Sequence, residues 1–418
     1  MTAASYFEDI TLTIGLTPSD FIWQGFMQGK KDGCKEWPIE GESLFSYKGE
    51  PLPYMPFCYK HPDYWHVIEQ ETKRTGDMIN SRKLQITGLS MLSLVGSGCT
   101  DKNGSIENGV RPNIVLFLAD DIGAECFGCM GGVSYDTHII DSLAEKSLFF
   151  PNMHAQPLSS PSRVQLMTGL YNDKNYVCFG YMNDDEPTFS QLAQQAGYTT
   201  GMFGKWQLGS SREMPTRLGW DEWCLFQLEV YKEFNGPTGT DRYANCMMDN
   251  HGHYEYSIYG PDGFESAAFE FLDKQKDSDK PFLLYYSTPL VHTPHTPTPD
   301  SESWDLDFAG RFQKDTANFK DMVAYLDKKV GRMIDRLKRN GQWENTIFIF
   351  TSDNGTSTRI VSQMADGTLR RGGKGDPRGI GTSVPLIICW GDKLEPRESQ
   401  RLVDFTDFFL TFADAMRI

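Results

Sequence analysis

A serine-rich segment at the start of a predicted helix is the first candidate for chemistry in this chain. It reads Ser-Ser-Pro-Ser-Arg-Val-Gln-Leu-Met-Thr-Gly at residues 159–169 and follows an extended run at residues 149–153. Pro161 suits the first turn of a helix, because the N–H that proline lacks would have no partner there. Ser159 would lie just ahead of the helix, near backbone donors that favour negative charge. Such a serine is commonly an N-cap, so the local pattern leaves a helix cap and an anion site open.

Two pairs of oxygen-bearing side chains follow predicted strands elsewhere in the chain. Asp120 and Asp121 come directly after one apolar run, and Asp353 and Asn354 follow another. Each pair alone is typical of turns and helix caps. Together they offer three carboxylates and one amide oxygen, which are hard donors suited to calcium or magnesium. No thiolate or imidazole belongs to this set, so zinc is not favoured.

Basic side chains and histidines lie in three further segments. These read Gly-Lys-Trp-Gln-Leu-Gly at 204–209, Leu-Val-His-Thr-Pro-His at 290–295 and Arg-Gly-Gly-Lys-Gly at 371–375. Taken alone, Lys205 would be an ordinary solvated lysine. The last segment, which contains Lys374, would be a flexible loop or a phosphate cradle without the spacing of a P-loop. The segments gain significance only if the fold brings them together.

The pattern from residue 111 onward predicts an α/β fold that could do so. Continuous apolar runs of the buried-strand type occur at 114–118, 199–203, 282–286, 346–350 and 385–389. Helical patterns fall between them, at 188–196 and at 317–340, where apolar residues recur on one face. Alternating strands and helices predict a mostly parallel sheet with helices on both sides. Ligand groups then belong in the loops at the carboxyl ends of the strands, where these polar segments fall.

Composition limits the partners of this protein. The chain has 418 residues, 39% of them hydrophobic and 13% aromatic, which fits a globular protein. Its net charge of −16 argues against nucleic acid or an anionic membrane surface as the main partner. Nine cysteines give no readable disulfide framework. The Cys-Phe-Gly-Cys run at 126–129 has no second pair, so it favours buried small residues over a zinc site.

Considered together, these segments resemble the motifs of the type I sulfatases, over about residues 111–418. The run 159–169 matches the maturation motif of that family, and serine in its first place is similar to the anaerobic bacterial branch. The resemblance implies an alkaline phosphatase-like α/β fold. It also implies that an anaerobic sulfatase-maturating enzyme oxidises Ser159 to formylglycine, an aldehyde that forms a gem-diol in water. Sulfated glycans would be the substrate class.

The resemblance also assigns roles to individual residues. One calcium ion would be held by the modified Ser159 and by Asp120, Asp121, Asp353 and Asn354. The sulfate charge would be offset by Lys205, Lys374 and Arg163, and the leaving alcohol would be protonated by His292, with His295 as the alternative. Gln207 stands where many relatives have a histidine, and glutamine cannot carry the proton that a histidine can.

The chemistry explains why these residue types are needed together. A sulfate monoester is a poor electrophile because its anionic oxygens repel a nucleophile, so cations must offset that charge. One hydroxyl of the gem-diol would attack sulfur while a general acid protonates the departing oxygen. The second hydroxyl would then lose its proton, re-form the aldehyde and expel sulfate. An unmodified serine has no such route for release.

The first 110 residues differ from the rest of the chain. Residues 1–77 are rich in proline and aromatic loops and resemble part of a bile-acid-CoA thioesterase-like α/β hydrolase, without its Gly-x-Ser-x-Gly elbow. Residues 78–99 have basic, apolar and small-residue parts ending at Cys99, which predicts a lipoprotein signal, with a buried helix as the alternative. Residues 100–110 would be a linker. If Met78 is the natural start, the protein is predicted to be lipid-anchored in the periplasm or at the cell surface.

The sequence is also compatible with two other functions. A phosphodiesterase or phosphonate hydrolase of the same superfamily would carry two metals and further histidine and aspartate ligands. A non-catalytic, glycan-binding relative would fit the glutamine at 207 and a chain that looks C-terminally truncated, with 402–416 as a final helix. A count of the bound metal ions tests the first alternative, because a sulfatase would bind one calcium ion. Glycan binding without sulfate release would identify the second alternative.

Overall fold

The computed structural model describes residues 111–183, 185–209, 211–226, 242–304, 314–391 and 393–418. The predictions for segments 1–77, 78–99 and 100–110, including lipidation of Cys99, lie outside the described residues. The strands are β1 Asn113–Ala119, β2 Leu148–His154, β3 Thr199–Lys205, β4 Glu222–Phe226, β5 Ala244–Asn250, β6 His253–Tyr259, β7 Phe282–Ser287, β8 Thr346–Ser352, β9 Val361–Gln363, β10 Leu369–Arg371, β11 Ser383–Cys389, β12 Arg397–Glu398 and β13 Val403–Asp404. The helices are α1 His138–Glu145, α2 Ser159–Thr168, α3 Asn172–Asn175, α4 Phe189–Gln195, α5 Met214–Arg217, α6 Gly260–Lys274, α7 Phe319–Arg339, α8 Gly379–Thr382 and α9 Thr406–Met416.

The main sheet has 11 strands in a mixed arrangement. Its order is β12-β2-β11-β8-β1-β7-β3-β4-β5-β6, with β13 paired to β2. The central neighbours β8, β1, β7, β3 and β4 are all parallel. The predicted α/β class is confirmed, but β11 runs antiparallel to both β8 and β2, and β5 and β6 are antiparallel as well. A buried apolar run looks the same in either strand direction, so the sequence could not reveal this.

The sheet is covered by helices on both faces. In β1, Val115 and Phe117 belong to one hydrophobic cluster, whereas Leu116 and Leu118 belong to the other. This alternation is what a strand buried on both sides requires, since successive side chains point to opposite faces. Buried residues of α6 and α7 contribute to the first cluster, and those of α4 and α9 contribute to the second.

The predicted helices form with small shifts at their ends. The segment 188–196 becomes α4, where Thr188 accepts from the backbone of Gln191 in a capping box. The segment 317–340 becomes α7, and every apolar residue predicted for its inner face is buried. The final helix begins at Thr406 instead of 402, because Val403 and Asp404 pair with β2 as β13. No helix among the described residues combines the length and apolar character that a bilayer crossing requires.

Candidate active site

The two acidic pairs meet because their strands are neighbours. In the parallel pairing of β1 with β8, Ala119 lies opposite Ser352, so both strands end side by side. The backbone N–H of Asp353 donates to Ala119 O at 3.1 Å, and that of Asp121 donates to Asp353 Oδ1 at 3.1 Å. Asp120, Asp121, Asp353 and Asn354 are each at most 1% exposed. The oxygen-rich set predicted from the sequence is therefore assembled in the interior.

Ser159 points into this acidic set. It is the first residue of α2, not the residue ahead of it, because Leu158 keeps the extended backbone of the N-cap position. Its hydroxyl makes no capping bond and lies 3.3 Å from Asp120 Oδ1 and 3.1 Å from Asn354 Oδ1. The ammonium of Lys205 donates to the same Oγ at 3.0 Å. The helix-cap interpretation is therefore wrong for the side chain, which faces acceptors and a cation instead.

Arg163 lies one turn after Ser159 on α2 and holds Asp353. Its Nε and Nη2 donate to Asp353 Oδ2 at 3.2 and 2.9 Å, and its Nη1 donates to the hydroxyl of Ser287. The guanidinium is fully buried, as is Asp353. Two bonds from a planar fork fix the carboxylate in place. This geometry indicates that Arg163 positions Asp353, whereas the sequence analysis gave it a direct role in offsetting the sulfate charge.

Lys205 ends β3 and reaches Asp120. Its ammonium donates to both oxygens of that carboxylate, at 2.8 and 2.7 Å, and both residues are 0% exposed. Burial raises the pKa of Asp120 to about 7, against the attraction of Lys205, and burial lowers the pKa of Lys205 to about 8. Burial also acts to raise the pKa of Asp353, but Arg163 and Lys205 outweigh it and lower that pKa to about 2.

Lys374 and His292 close the other side of the site. The Lys374 ammonium donates to Asp121 Oδ2 at 2.6 Å and lies 3.0 Å from His292 Nε2, which is 3.4 Å from the same carboxylate. The opposite ring nitrogen, Nδ1, contacts the Thr293 carbonyl and Arg242 Nη1. Burial lowers the pKa of His292 well below its usual range, and the cations of Arg242, Lys374 and Lys205 lower it further.

Gln207 and His295 make fewer polar contacts than the other predicted site residues. Gln207 is 9% exposed and has a positive φ of 53°, and its Oε1 has no hydrogen-bond partner among the described residues. A buried non-glycine residue with left-handed backbone is uncommon and typical of functional sites. His295 lies farther along the loop after β7, with its ring against Phe319. It makes no described contact with Lys374 or Ser159, so the geometry favours His292 over His295 at this position.

The donor set fits a hard divalent cation. Carboxylate oxygens of Asp120 and Asp121 lie within 4.8 Å of each other and of a His292 ring nitrogen. The raised pKa of Asp120 shows the cost of burying its charge, which a cation would offset. In one respect the structure corrects the sequence analysis, because an imidazole does lie beside the acidic set. No second group of this kind occurs among the described residues, which gives no support to a two-metal site.

Sequence reasoning missed Arg242. This residue precedes β5, 50 positions from His292, and its Nη1 contacts the histidine ring across the site. Tyr243 beside it donates its hydroxyl to the carbonyls of Pro289 and His292, at 2.8 and 2.6 Å, and so fixes the histidine loop. No motif or spacing marks either residue in the sequence. Only the position of β5 in the folded sheet brings them to the loop.

Comparison with known proteins identifies the family of this chain. A family model described as Sulfatase matches residues 112–418. N-acetylgalactosamine-6-O-sulfatase of Bacteroides thetaiotaomicron is 27% identical over 412 residues, covering 79% of this chain and 77% of that protein. The uncharacterized sulfatase YdeN of Escherichia coli is 29% identical, covering 66% of this chain and 53% of its own length. The dog N-acetylgalactosamine-6-sulfatase is 28% identical, covering 72% and 61%. The chain thus spans less than two thirds of the latter two relatives.

Solved structures show the same fold. The crystal structure of Ps i-CgsB superposes with a TM-score of 0.61 at 27% identity, covering 73% of this chain and 72% of that one. The phosphonate monoester hydrolase of Agrobacterium radiobacter superposes with a TM-score of 0.50 at 21% identity, covering 73% and 74%. The second likeness is one of fold alone.

Proposed function

The chain belongs to the sulfatase family, and from that premise we propose that it hydrolyses sulfate monoesters of glycans. The alkaline phosphatase-like α/β fold predicted from the sequence is confirmed by the sheet and by the solved sulfatases that resemble it. The observation that carries the proposal is the position of Ser159, whose hydroxyl lies among Asp120, Asn354 and Lys205. A relative named as a sulfatase of N-acetylgalactosamine supports glycans as the substrate class.

Two groups would complete the site. A formylglycine formed from Ser159 by an anaerobic sulfatase-maturating enzyme would supply, as its hydrate, the attacking hydroxyl and a second hydroxyl that allows sulfate to leave. A calcium ion held by Asp120, Asp121, Asp353, Asn354 and residue 159 would supply positive charge next to the sulfate oxygens.

The chain's own cations prepare the site for an anion. The ammonium of Lys205 contacts the Ser159 hydroxyl, and that of Lys374 contacts Asp121, one of the carboxylates that would hold calcium, so both charges would act on a sulfate bound there. Because the protein as a whole carries a net charge of −16, this local concentration of cations is what makes an anionic substrate acceptable. Cations held in place in advance stabilise developing charge without reorganisation during the reaction.

His292 is the group placed to protonate the departing sugar oxygen. Its Nε2 faces Lys374 and Asp121, whereas Nδ1 is engaged at the loop by Thr293 and Arg242. Burial, and then the surrounding cations, keep the pKa of the free ring low. A bound sulfate monoester brings negative charge next to the ring and so raises that pKa, which favours the proton that a general acid needs.

The proposed function is tested by measuring both the modification of Ser159 and the release of sulfate. The protein is produced with an anaerobic sulfatase-maturating enzyme, and the tryptic peptide of residues 147–163 is weighed. A peptide lighter by two hydrogens at Ser159, with sulfate released from a sulfated N-acetylgalactosamine, is the expected result. A modified peptide without release, combined with retained glycan binding, would support the non-catalytic alternative. An unmodified serine in a host proven to mature such sites would remove the formylglycine mechanism.

The loss of rate caused by removing His292 should depend on the leaving group of the substrate. His292→Ala is expected to lower kcat for a sugar sulfate by roughly 10²- to 10⁴-fold, the usual contribution of a general acid. Nitrophenyl sulfate should lose far less, because nitrophenolate departs without protonation. Steady-state rates on both substrates provide the measurement. In the control His253→Ala, which removes an exposed histidine of β6 away from the cavity, the ratio of the two rates should stay as in the wild type. Equal losses on both substrates for His292→Ala would rule out its role as general acid.

Lys374→Ala should remove a cation that acts on the transition state. The expected loss is about 10²- to 10³-fold in kcat, on the scale of a lost oxyanion donor. Arg378→Ala is the matched control, because Arg378 follows in the same loop with a side chain 81% exposed. Near-wild-type rates for Lys374→Ala would place the sulfate elsewhere.

Calcium should stabilise the folded protein. A ligand that binds only the folded state at about 100 times its Kd contributes about 2.7 kcal/mol, which raises Tm by several degrees. Asp121→Asn should lose most of this shift, and Asp366→Asn, an exposed carboxylate in the β9–β10 turn, should keep it. Thermal unfolding with calcium or with a chelator gives the answer. Equal shifts in both variants would place the ion outside the acidic set.

A further inference from the structure

We infer that the cavity beside His292 is a subsite for a second anionic group of the substrate, so that the preferred substrate unit is dianionic. This inference rests on the proposed function, since it names the kind of sulfated sugar that the same site takes. The cavity has a volume of about 420 Å³, which lies in the range of small-ligand sites. His292 is part of its wall, so the cavity opens on the side of the histidine where a leaving sugar would lie.

The charge of the cavity wall points to an anion. Arg242, Lys314 and Arg359 line it, and Asp315 is the one acidic lining residue among those that the structure describes. The Asp315 carboxylate accepts the backbone N–H of Ala317 at 2.9 Å as the cap of a short helical turn, so it is already engaged. In a chain with a net charge of −16, three basic side chains around one cavity are a local departure from the overall balance.

Two arginines of this wall have no carboxylate partner among the residues that the structure describes. Neither Arg242 nor Arg359 forms an ion pair with an acidic residue in the described part of the chain, although Arg242 contacts the His292 ring. The Nε of Arg242 is buried without a hydrogen-bond acceptor among the same residues. Guanidinium groups bind carboxylate or sulfate oxygens through two parallel hydrogen bonds. An anion of this kind would give Arg242 and Arg359 the partner that they lack within the described part of the chain.

His295 supplies a second, independent observation. It lines the same cavity, is 4% exposed, and its Nε2 has no hydrogen-bond partner among the described residues. A buried ring nitrogen without a partner is costly unless a ligand or water meets it. Burial lowers the pKa of His295, so the ring is a neutral hydrogen-bonding group that suits a sugar hydroxyl or an anion oxygen.

The second anion could be a sulfate or a carboxylate, because both present paired oxygens to a guanidinium. The experiment therefore compares three probes: galactose monosulfate, galactose disulfate, and a disaccharide of sulfated N-acetylgalactosamine with glucuronic acid. Binding is measured by calorimetry on the Ser159→Ala protein, which cannot turn them over. Affinity is thus read separately from sulfate release, and a failure of the proposed reaction does not hide the result.

The expected result is that at least one dianionic probe binds about tenfold more tightly than the monosulfate, and that added salt reduces the difference. Preference for the disulfate assigns the subsite to a sulfate, and preference for the disaccharide assigns it to a carboxylate. In Lys314→Gln/Arg359→Gln the preference should fall to within about twofold. Both residues are exposed, so the protein should fold.

Arg370→Gln is the matched control, because Arg370 is an exposed arginine that does not line the cavity. It should keep the full preference for the dianionic probe. Equal affinity of the three probes in the parent protein would overturn the inference. So would a preference that survives the double substitution or that falls equally in Arg370→Gln. If binding behaves as expected but no sulfate is ever released, the subsite stands and the proposed hydrolysis fails.

Discussion

Replacement of Ser159 by alanine is expected to abolish sulfate release while leaving the fold intact. The formylglycine would be made from this side chain, so Ser159→Ala removes both the attacking and the releasing hydroxyl. Loss of a nucleophile that acts together with its neighbours lowers rates by about 10⁴-fold or more. The stability cost should be small, about 1 kcal/mol, because Asp120 and Lys205 remain hydrogen-bonded to each other when the hydroxyl is gone.

Ser160→Ala is the matched control for this experiment. Ser160 is the next residue of α2, is fully buried, and accepts the backbone N–H of Gly180 at 2.8 Å. Its loss should cost a similar free energy of unfolding but leave sulfate release within a few-fold of the wild type. Sulfate release and urea unfolding are measured on both variants produced with the maturating enzyme. Turnover by Ser159→Ala would show that the nucleophile lies elsewhere.

The strand ends were predictable because parallel neighbours share an edge. The sequence places Asp120 after one buried run and Asp353 after another, and in any parallel sheet such residues come to the same side. That they meet at hydrogen-bonding distance follows from β8 being the direct neighbour of β1. Strand order depends on long-range packing, which single-sequence patterns do not encode. The sequence therefore predicted the composition of the site but not its contacts.

For the same reason, the sequence could not predict which charged side chains contact each other. Arg163 could have faced a ligand, yet its turn of α2 lies over Asp353, 190 positions away, and binds that carboxylate. Lys374 and His292 lie 82 positions apart, on the segment that precedes β11 and on the loop that follows β7, and they meet only in the folded chain. The direction of β11 was missed because buried parallel and antiparallel strands have the same apolar pattern.

The structure also explains how an acidic protein can accept an anion. Three buried carboxylates share one site with two buried cations, Arg163 and Lys205, and with the partly exposed Lys374, so the acidic residues hold the cations where they are needed and limit their repulsion. Each buried charge is costly without its partner. The site should accordingly be sensitive to the loss of any one member, and most of all where both partners are completely enclosed.

The Arg163–Asp353 pair provides the sharpest test of that argument. Asp353→Ala would leave the Arg163 guanidinium, whose side chain is 0% exposed, without its carboxylate. Breaking a buried pair in this way costs about 3–5 kcal/mol in the free energy of unfolding. The measurement is urea unfolding with a chelator present, so that loss of a metal ligand does not contribute. Asp273→Ala is the control, because it breaks a pair with Arg336 whose side chains are 49% and 30% exposed; it should cost about 1 kcal/mol or less.

A double variant separates the unpaired charge from lost packing. Adding Arg163→Met to Asp353→Ala removes the stranded guanidinium and replaces it with an apolar side chain that fits a buried position. The double variant should therefore be more stable than Asp353→Ala alone, although it has lost more native contacts. If it is instead destabilised by the sum of the two single losses, the residues are not coupled. Arg163 would then stabilise α2 through Ser287 and its packing, and Asp353 would be positioned by the end of β8 alone.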